Sequence, residues 1–362
     1  INELAAVLQR ELDQRGYLEI STPSLVKADL WKQSGHWDFY EHGMFKLQVE
    51  DEDYAYKPMN CPESTIVYRF KTRSYRDLPL RLAQTDRLLR NERSGTLNGL
   101  LRVRQLTMDD AHIFCRPDQI QDEIRGVLDF QRAIYDIFGL QPRYYLSTRP
   151  DKAIGDPAVW QRAEADLQAA LEQNGLNYEV KEGEGAFYGP KIDVDIEDAL
   201  GRPWQLNTTQ LDFQQPEQFK LEYIGEDGQA HRPVMIHRAI YGTYERFIAV
   251  LVEHYAGAFP VWLAPVQAVV VPVSDRHNEY AEAVARQLRG SGYRVEVDAR
   301  RERMQAKLRD AQTQQVPYML VVGDRDQQAG TVSVRERRQG DLGPHSVADF
   351  SQMLEARRAV RE

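Results

Sequence analysis

Arg90, Asn91 and Glu92 precede a polar, glycine-containing stretch at residues 93–99, and Arg102 and Arg104 follow it. On a strand, Arg102 and Arg104 project to one face, so that two guanidinium groups can converge on one anion, a triphosphate being the obvious chemistry. An exposed hairpin whose alternate residues are charged because they face water fits the same spacing. Spacing alone does not choose between them. Cys61, His112 and His237 are metal-capable, but they lie 51 and 125 residues apart and no paired C-x-x-C occurs, so spacing gives no zinc signal. Taken singly, Cys61 reads as a small buried hydrophobe, His237 as a helix-start residue, and Asp109 and Asp110 before His112 as a solvated turn. Gly242 would let a ligand approach the backbone, and Arg246 near a helix start suits a phosphate; packing with a charged edge explains both as well.

The elements that must position these residues follow from periodicity. Leu4, Val7, Leu8 and Leu12 give a helix over residues 2–15 that Gly16 stops, and a strand follows over 17–24. Residues 78–82 and 100–107 read as the strands of a long hairpin. Helices are expected over 119–138, 157–173 and 239–254, with short strands and glycine turns between 177 and 213. Pro260 and Pro265 bracket a boundary, giving domains 1–259 and 260–362. Beyond it strands at 266–273, 293–297 and 318–322 alternate with helices at 279–288 and 302–311. A hairpin at 331–337 and a helix at 347–358 follow, the pattern of a small α/β domain with a mainly parallel sheet.

The 362 residues, 42% hydrophobic and 28% charged, have the balance of a globular protein of two or three folding units. No apolar run reaches the roughly 20 residues that cross a bilayer, and no leader pattern opens the chain, so a cytoplasmic address is expected and a membrane is not. The first residue is Ile1 in mid-pattern, which points to a longer N-terminal part. Two cysteines, Cys61 and Cys115, are too few for a disulfide framework. The net charge of −9 argues against indiscriminate binding of polyanions, yet residues 300–338 hold nine Lys or Arg against five acids, a plausible RNA footprint.

At these same positions the sequence resembles the threonyl-tRNA synthetases. The strings that carry the resemblance are SGHWDFY (34–40), KPMNCP (57–62), SYRDLPLR (74–81), RNERSG (90–95), DDAHIFC (109–115), LSTRP (146–150), GEGAFYGPKI (183–192), QLDF (210–213), PVMIHRAI (233–240), ERF (245–247) and WLAPVQ (262–267). They keep family order across nearly the whole chain. The resemblance implies an α+β class II catalytic domain, with a six-stranded antiparallel sheet flanked by helices, then a small α/β anticodon-binding domain. It implies activation of L-threonine with ATP and transfer to tRNA(Thr), by a homodimer joined through the first motif around Pro23. Arg90 and Glu92 would hold the α-phosphate and the adenine amino group, Arg102 the triphosphate and Arg246 the γ-phosphate end, with Gln205 and Thr208 also at ATP. Cys61, His112 and His237 match zinc ligands, and Mg2+ accompanies ATP. Asp110, Tyr188, Gln210 and position 108 fall at the amino-acid site, and His36 matches the residue that assists deprotonation of the terminal ribose. Arg335 and Asp326 fall in the domain that contacts the anticodon.

By the same resemblance, zinc that ligates the threonine hydroxyl would reject valine by roughly 10⁴-fold or more, whereas serine lacks only a methyl worth about 1 to 3 kcal/mol. Family members usually hydrolyse mischarged seryl-tRNA in a separate N-terminal domain, and none is expected in this chain. The sequence also departs from the family. Glu63 and Ser64 follow the KPMNCP string, Thr85–Leu89 replace a Phe-Gly segment, Gln105 replaces Gly, Met108 replaces a substrate-contacting Gln, and Leu206 replaces Cys. These changes gather around the amino-acid site, while the ATP arginines and the zinc-type residues stay. A synthetase paralogue with altered amino-acid or inhibitor specificity is one alternative, and a non-catalytic RNA-binding relative is another, which retention of the motif arginines disfavours.

Overall fold

In the computed structural model, residues 1–198 and 201–359 are described. They form two compact units, one of Ile1 and Ala5–Leu251 and one of Asn2–Leu4 and the residues from Val252 onward. No helix among the described residues is long and apolar enough to cross a membrane.

The helix expected at the start is α1 (Asn2–Gln14), which buries Val7, Leu8 and Leu12 along one face. The strand expected over residues 17–24 shrinks to β1 (Leu18–Glu19). Its second half is diverted, because the carbonyl and hydroxyl of Thr22 accept from the Lys57 ammonium at 3.1 and 2.9 Å instead of extending a ladder.

The central sheet is built from β1, β2 (Leu80–Leu89), β3 (Gln105–Cys115), β4 (Arg143–Ser147), β5 (Tyr178–Lys181), β6 (Lys191–Glu197), β7 (Pro203–Asp212) and β8 (Val234–Ala239). Their order is β1-β2-β3-β8-β7-β6-β4-β5. The six strands from β2 to β4 are antiparallel, and β1 and β5 add one parallel strand at each edge. Helix α2 (Cys61–Arg69) starts at a metal-capable residue. Helix α3 (Ile120–Phe138) packs against β3, β7 and β8, burying residues such as Ile124, Val127, Phe130 and Ile134 at helical spacing. Helices α4 (Pro157–Gln173) and α5 (Gln214–Gln218) follow.

Two expectations need correction. The hairpin exists, but its second strand begins at Gln105, so Arg102 and Arg104 are not on it. Residues 98–102 close on themselves, with the N–H groups of Leu101 and Arg102 both donating to Asn98 O, so the two arginines need not share a face. The helix expected from residue 239 starts five residues later, as α6 (Tyr244–His254), and His237 lies inside β8. Gly242 explains the delay: its φ is +71°, and a Cβ there would stand 2.1 Å from Leu206 O.

The second unit holds β9 (Ala268–Pro272), β10 (Val295–Val297), β11 (Tyr318–Val322), β12 (Thr331–Glu336) and β13 (Gly340–Ser346), in the order β10-β9-β11-β12-β13. The first three are parallel and the last two antiparallel, so the sheet is mixed where a mainly parallel one was expected. Helices α7 (Asn278–Gly290), α8 (Met304–Thr313), α9 (Asp324–Ala329) and α10 (Val347–Ala359) surround it. The short α9 was not foreseen, because six residues carry too little periodicity to register.

Candidate active site and metal centre

Residues 108, 110 and 112 of β3 alternate onto one face of the central sheet, while Asp109 points to the other. On that other face the Arg238 guanidinium donates to Asp109 Oδ1 at 2.6 Å and lies 4.8 Å from the Tyr17 ring, with both partners of the pair closed to solvent. Asp109 Oδ2 accepts the N–H groups of Ile240 and Tyr241 at 2.9 and 3.0 Å. Odd and even positions therefore divide the labour, one face anchoring the strands and the other facing a cavity of about 460 Å³.

His112 and His237 are direct cross-strand partners, and Gln210 on β7 continues the row. Their rings meet edge to face at 4.9 Å. Cys61, at the start of α2, completes a buried group whose three donor atoms all lie within 4.8 Å of one another. Scattered in sequence, they are gathered by the sheet and could hold a metal ion through one thiolate and two imidazoles. The set suits a borderline cation with coordination left open. Burial pushes the Cys61 thiol well up and the His112 imidazole well down. His112 Nδ1 is buried without a hydrogen-bond partner among the described residues.

Tyr188 stacks on His237 at 4.9 Å and hydrogen-bonds Gln210. Asp110 accepts from the Asn60 amide at 3.1 Å, and its carboxyl is raised to about 6 by burial, which that bond partly opposes. His36 does not line the cavity. It is wholly buried behind Cys61, its Nε2 being 3.7 Å from the sulfur and its Nδ1 2.9 Å from Ser34 Oγ, and burial lowers it to about 3.

The same cavity is lined by Arg90, Glu92, Arg102 and Arg246. Arg90 Nε donates to Pro58 O at 3.2 Å, and Arg246 donates to Leu101 O and Gln205 O at 2.9 and 2.7 Å, so backbone carbonyls aim both guanidinium groups. Burial, then Arg102 and Arg90, press the Arg246 pKa down, the mark of cations crowded where an anion would fit. Arg104 is elsewhere, bonded to Glu92 O and Ser94 Oγ. A bulge at Leu206 lets Gln205 join Thr208 and Gln210 at the cavity. Met108 also lines it. Lys191, which lines it beside them and pairs with Asp193 at 2.6 Å, escaped sequence reasoning, although alternation along residues 191–195 was the signal. In the second unit Arg335 is half-buried on β12, and both oxygens of Asp326 are engaged, by Ser333 Oγ at 2.9 Å and Gly323 N at 3.1 Å.

An antiparallel sheet with arginines over one face and a separate α/β unit defines a class. The core domain of class II tRNA synthetases (G, H, P, S and T) matches residues 45–255, and an anticodon-binding domain matches residues 267–357. The chain belongs to the class II tRNA synthetase family. Within it, the chain is 54% identical over 98% of its length to the threonine–tRNA ligase of Desulforamulus reducens, covering 56% of that protein. It is 54% identical over 93% of its length to that of Thermotoga maritima, covering 53%. The chain thus spans about half the length of these curated relatives. A crystal structure of the RNA binding domain of threonyl-tRNA synthetase from Cryptosporidium parvum superposes with a TM-score of 0.93 at 41% identity, over 98% of this chain and 90% of that one.

Proposed function

We propose that the chain carries the catalytic core, residues 1–259, and the anticodon-binding domain, residues 260–362, of a threonine–tRNA ligase. The observation that carries this reading is the meeting, in one cavity, of three residues that could hold a metal ion with Arg90, Arg102 and Arg246. L-Threonine occupies the end near Cys61, His112 and His237, with Tyr188 and Gln210 orienting it and Asp110 accepting its hydroxyl. ATP, with Mg2+, lies under Arg90, Glu92, Arg102, Gln205, Thr208 and Arg246. The arginines offset charge that develops on the α-phosphate as the carboxylate attacks and pyrophosphate leaves. The donor set fits Zn2+, which when bound supplies open Lewis-acid positions for amino and hydroxyl groups. The resemblance assigns His36 to deprotonation of the terminal ribose of tRNA(Thr), a role its burial behind Cys61 does not support, and Arg335 and Asp326 to contacts with the anticodon. The working form is a cytoplasmic homodimer joined near Pro23.

ATP–pyrophosphate exchange across a panel of amino acids tests the assignment. Threonine supports the fastest exchange, serine a weaker one and valine almost none; valine exchange near the threonine rate rejects selection through the hydroxyl. Zinc of about one ion per chain, lost in Cys61→Ala, is the matching result by elemental analysis. Met108 on the cavity wall favours a second reading, a synthetase with altered amino-acid or inhibitor response, which the same panel identifies by a different best substrate.

A further inference from the structure

Asp212 is wholly buried where β7 runs into α5, and both of its oxygens are committed. Oδ2 stands 2.9 Å from His237 Nε2, and Oδ1 accepts the backbone N–H groups of Gln214 and Gln215 at 2.7 and 3.0 Å. A carboxylate can only accept, so a neutral His237 facing it carries its proton on Nε2 and keeps the Nδ1 lone pair free. The second contact fixes the first turn of α5. From that turn Gln215, 0% exposed, presents a carboxamide that has no hydrogen-bond partner among the described residues, on a helix packed against α2, which Cys61 opens. A buried amide left unpartnered is destabilising, and a thiolate is an acceptor that would satisfy it.

We propose that Asp212 and Gln215 are positioning residues for the Cys61–His112–His237 centre, Asp212 by fixing the tautomer of His237 and the turn that carries Gln215, and Gln215 by donating to the Cys61 thiolate. One carboxylate thereby organises two of the three ligands from strands and helices far apart in sequence. The inference rests on the metal reading given above. Loss of such outer partners weakens metal binding by roughly 10- to 100-fold.

The test is zinc affinity of the 362-residue chain, measured by chelator competition, with the cobalt-substituted absorption spectrum and thermal unfolding of the zinc-free protein alongside. Asp212→Asn keeps the helix cap, because an amide oxygen accepts from the same N–H groups, but removes the charge and offers no second acceptor suited to His237. It should weaken zinc at least tenfold and alter the cobalt spectrum, with zinc-free unfolding little changed. Gln215→Met keeps the volume and loses the amide; weakening of about tenfold supports its role and carries the test should Asp212→Asn fail to fold. Parental affinity and spectrum in both variants, even with a lowered zinc-free midpoint, overturn the proposal. A parent chain that takes up no zinc overturns the metal reading itself, and this inference with it, a result distinct from a parent that binds zinc as tightly as its variants.

Discussion

Arg238 and Asp109 are locked together on the face of the sheet opposite the cavity, 2.6 Å apart and each flanked in sequence by a residue of the site, His237 and Asp110. Removing one partner of such a buried pair leaves the other charge without compensation, which costs about 3 to 5 kcal/mol. Asp109→Ala should therefore lower unfolding free energy by that amount in urea titration and reduce ATP–pyrophosphate exchange. A loss under about 1 kcal/mol would mean that water reaches Arg238 in the variant.

Lys57 is fully buried and pairs with Asp86 at 2.7 Å, with Glu63 3.8 Å away. Lys57→Met strands two carboxylates and should cost about 3 kcal/mol. Adding Asp86→Asn should recover at least about 1 kcal/mol as coupling between the two sites, read from a double-mutant cycle. Strictly additive losses would show that the pair does not interact.

The same pair sets an acid limb. Burial opposes the charge on Asp86, but hydrogen bonds from Lys57 and Gln84 outweigh it and hold its carboxyl below the ordinary value. A depressed pKa contributes stability that is complete above the unfolded value of about 3.9 and is lost as pH falls through the lower folded value. Unfolding free energy followed from pH 5 to pH 2 should fall more steeply in the parent than in Asp86→Asn. Equal slopes refute the assignment.

Met108→Gln returns an amide to the cavity wall. If that amide bonds threonine, one hydrogen bond of about 1 to 1.5 kcal/mol predicts a KM for threonine lower by up to about tenfold with the KM for ATP unchanged. Steady-state exchange kinetics decide it, and an unchanged threonine KM removes Met108 from the list of specificity determinants.

Arg335→Ala should depress tRNA charging about tenfold, the lower part of the range for one base-reading arginine, and leave exchange intact, because adenylation needs no tRNA. Normal charging with undiminished discrimination against anticodon mutants leaves Arg335 as a half-buried polar residue of an interior strand, with no part in reading RNA.

Local signals carried the helices well. The spacing of Leu4, Val7, Leu8 and Leu12 and the apolar ladder of residues 120–138 coincide with α1 and α3, because both bury one continuous stripe. What failed depended on contacts distant in sequence. Tyr17–Ser24 looks like a strand until Lys57 claims Thr22, and Ala239–Thr243 looks helical until Leu206 O closes on Gly242. The metal-capable trio shows the same limit: 51 and 125 residues of separation carry no pattern, and only the resemblance joined them before the sheet did. Asp212 and Gln215 went unread because a carboxylate ahead of a short helix looks like an ordinary cap.

The direct pairing of His112 with His237 gives the centre a further property. A strand slipped by one residue turns its whole set of side chains to the opposite face. With β8 displaced by one position, His237 would point toward α3 and Arg238 would enter the cavity, so no ion could be chelated. Any metal held there binds the correctly aligned sheet alone and favours it by mass action. The ion would serve as a gauge of alignment as well as a reagent, and chains that mispaired during synthesis would be distinguishable by their failure to retain it.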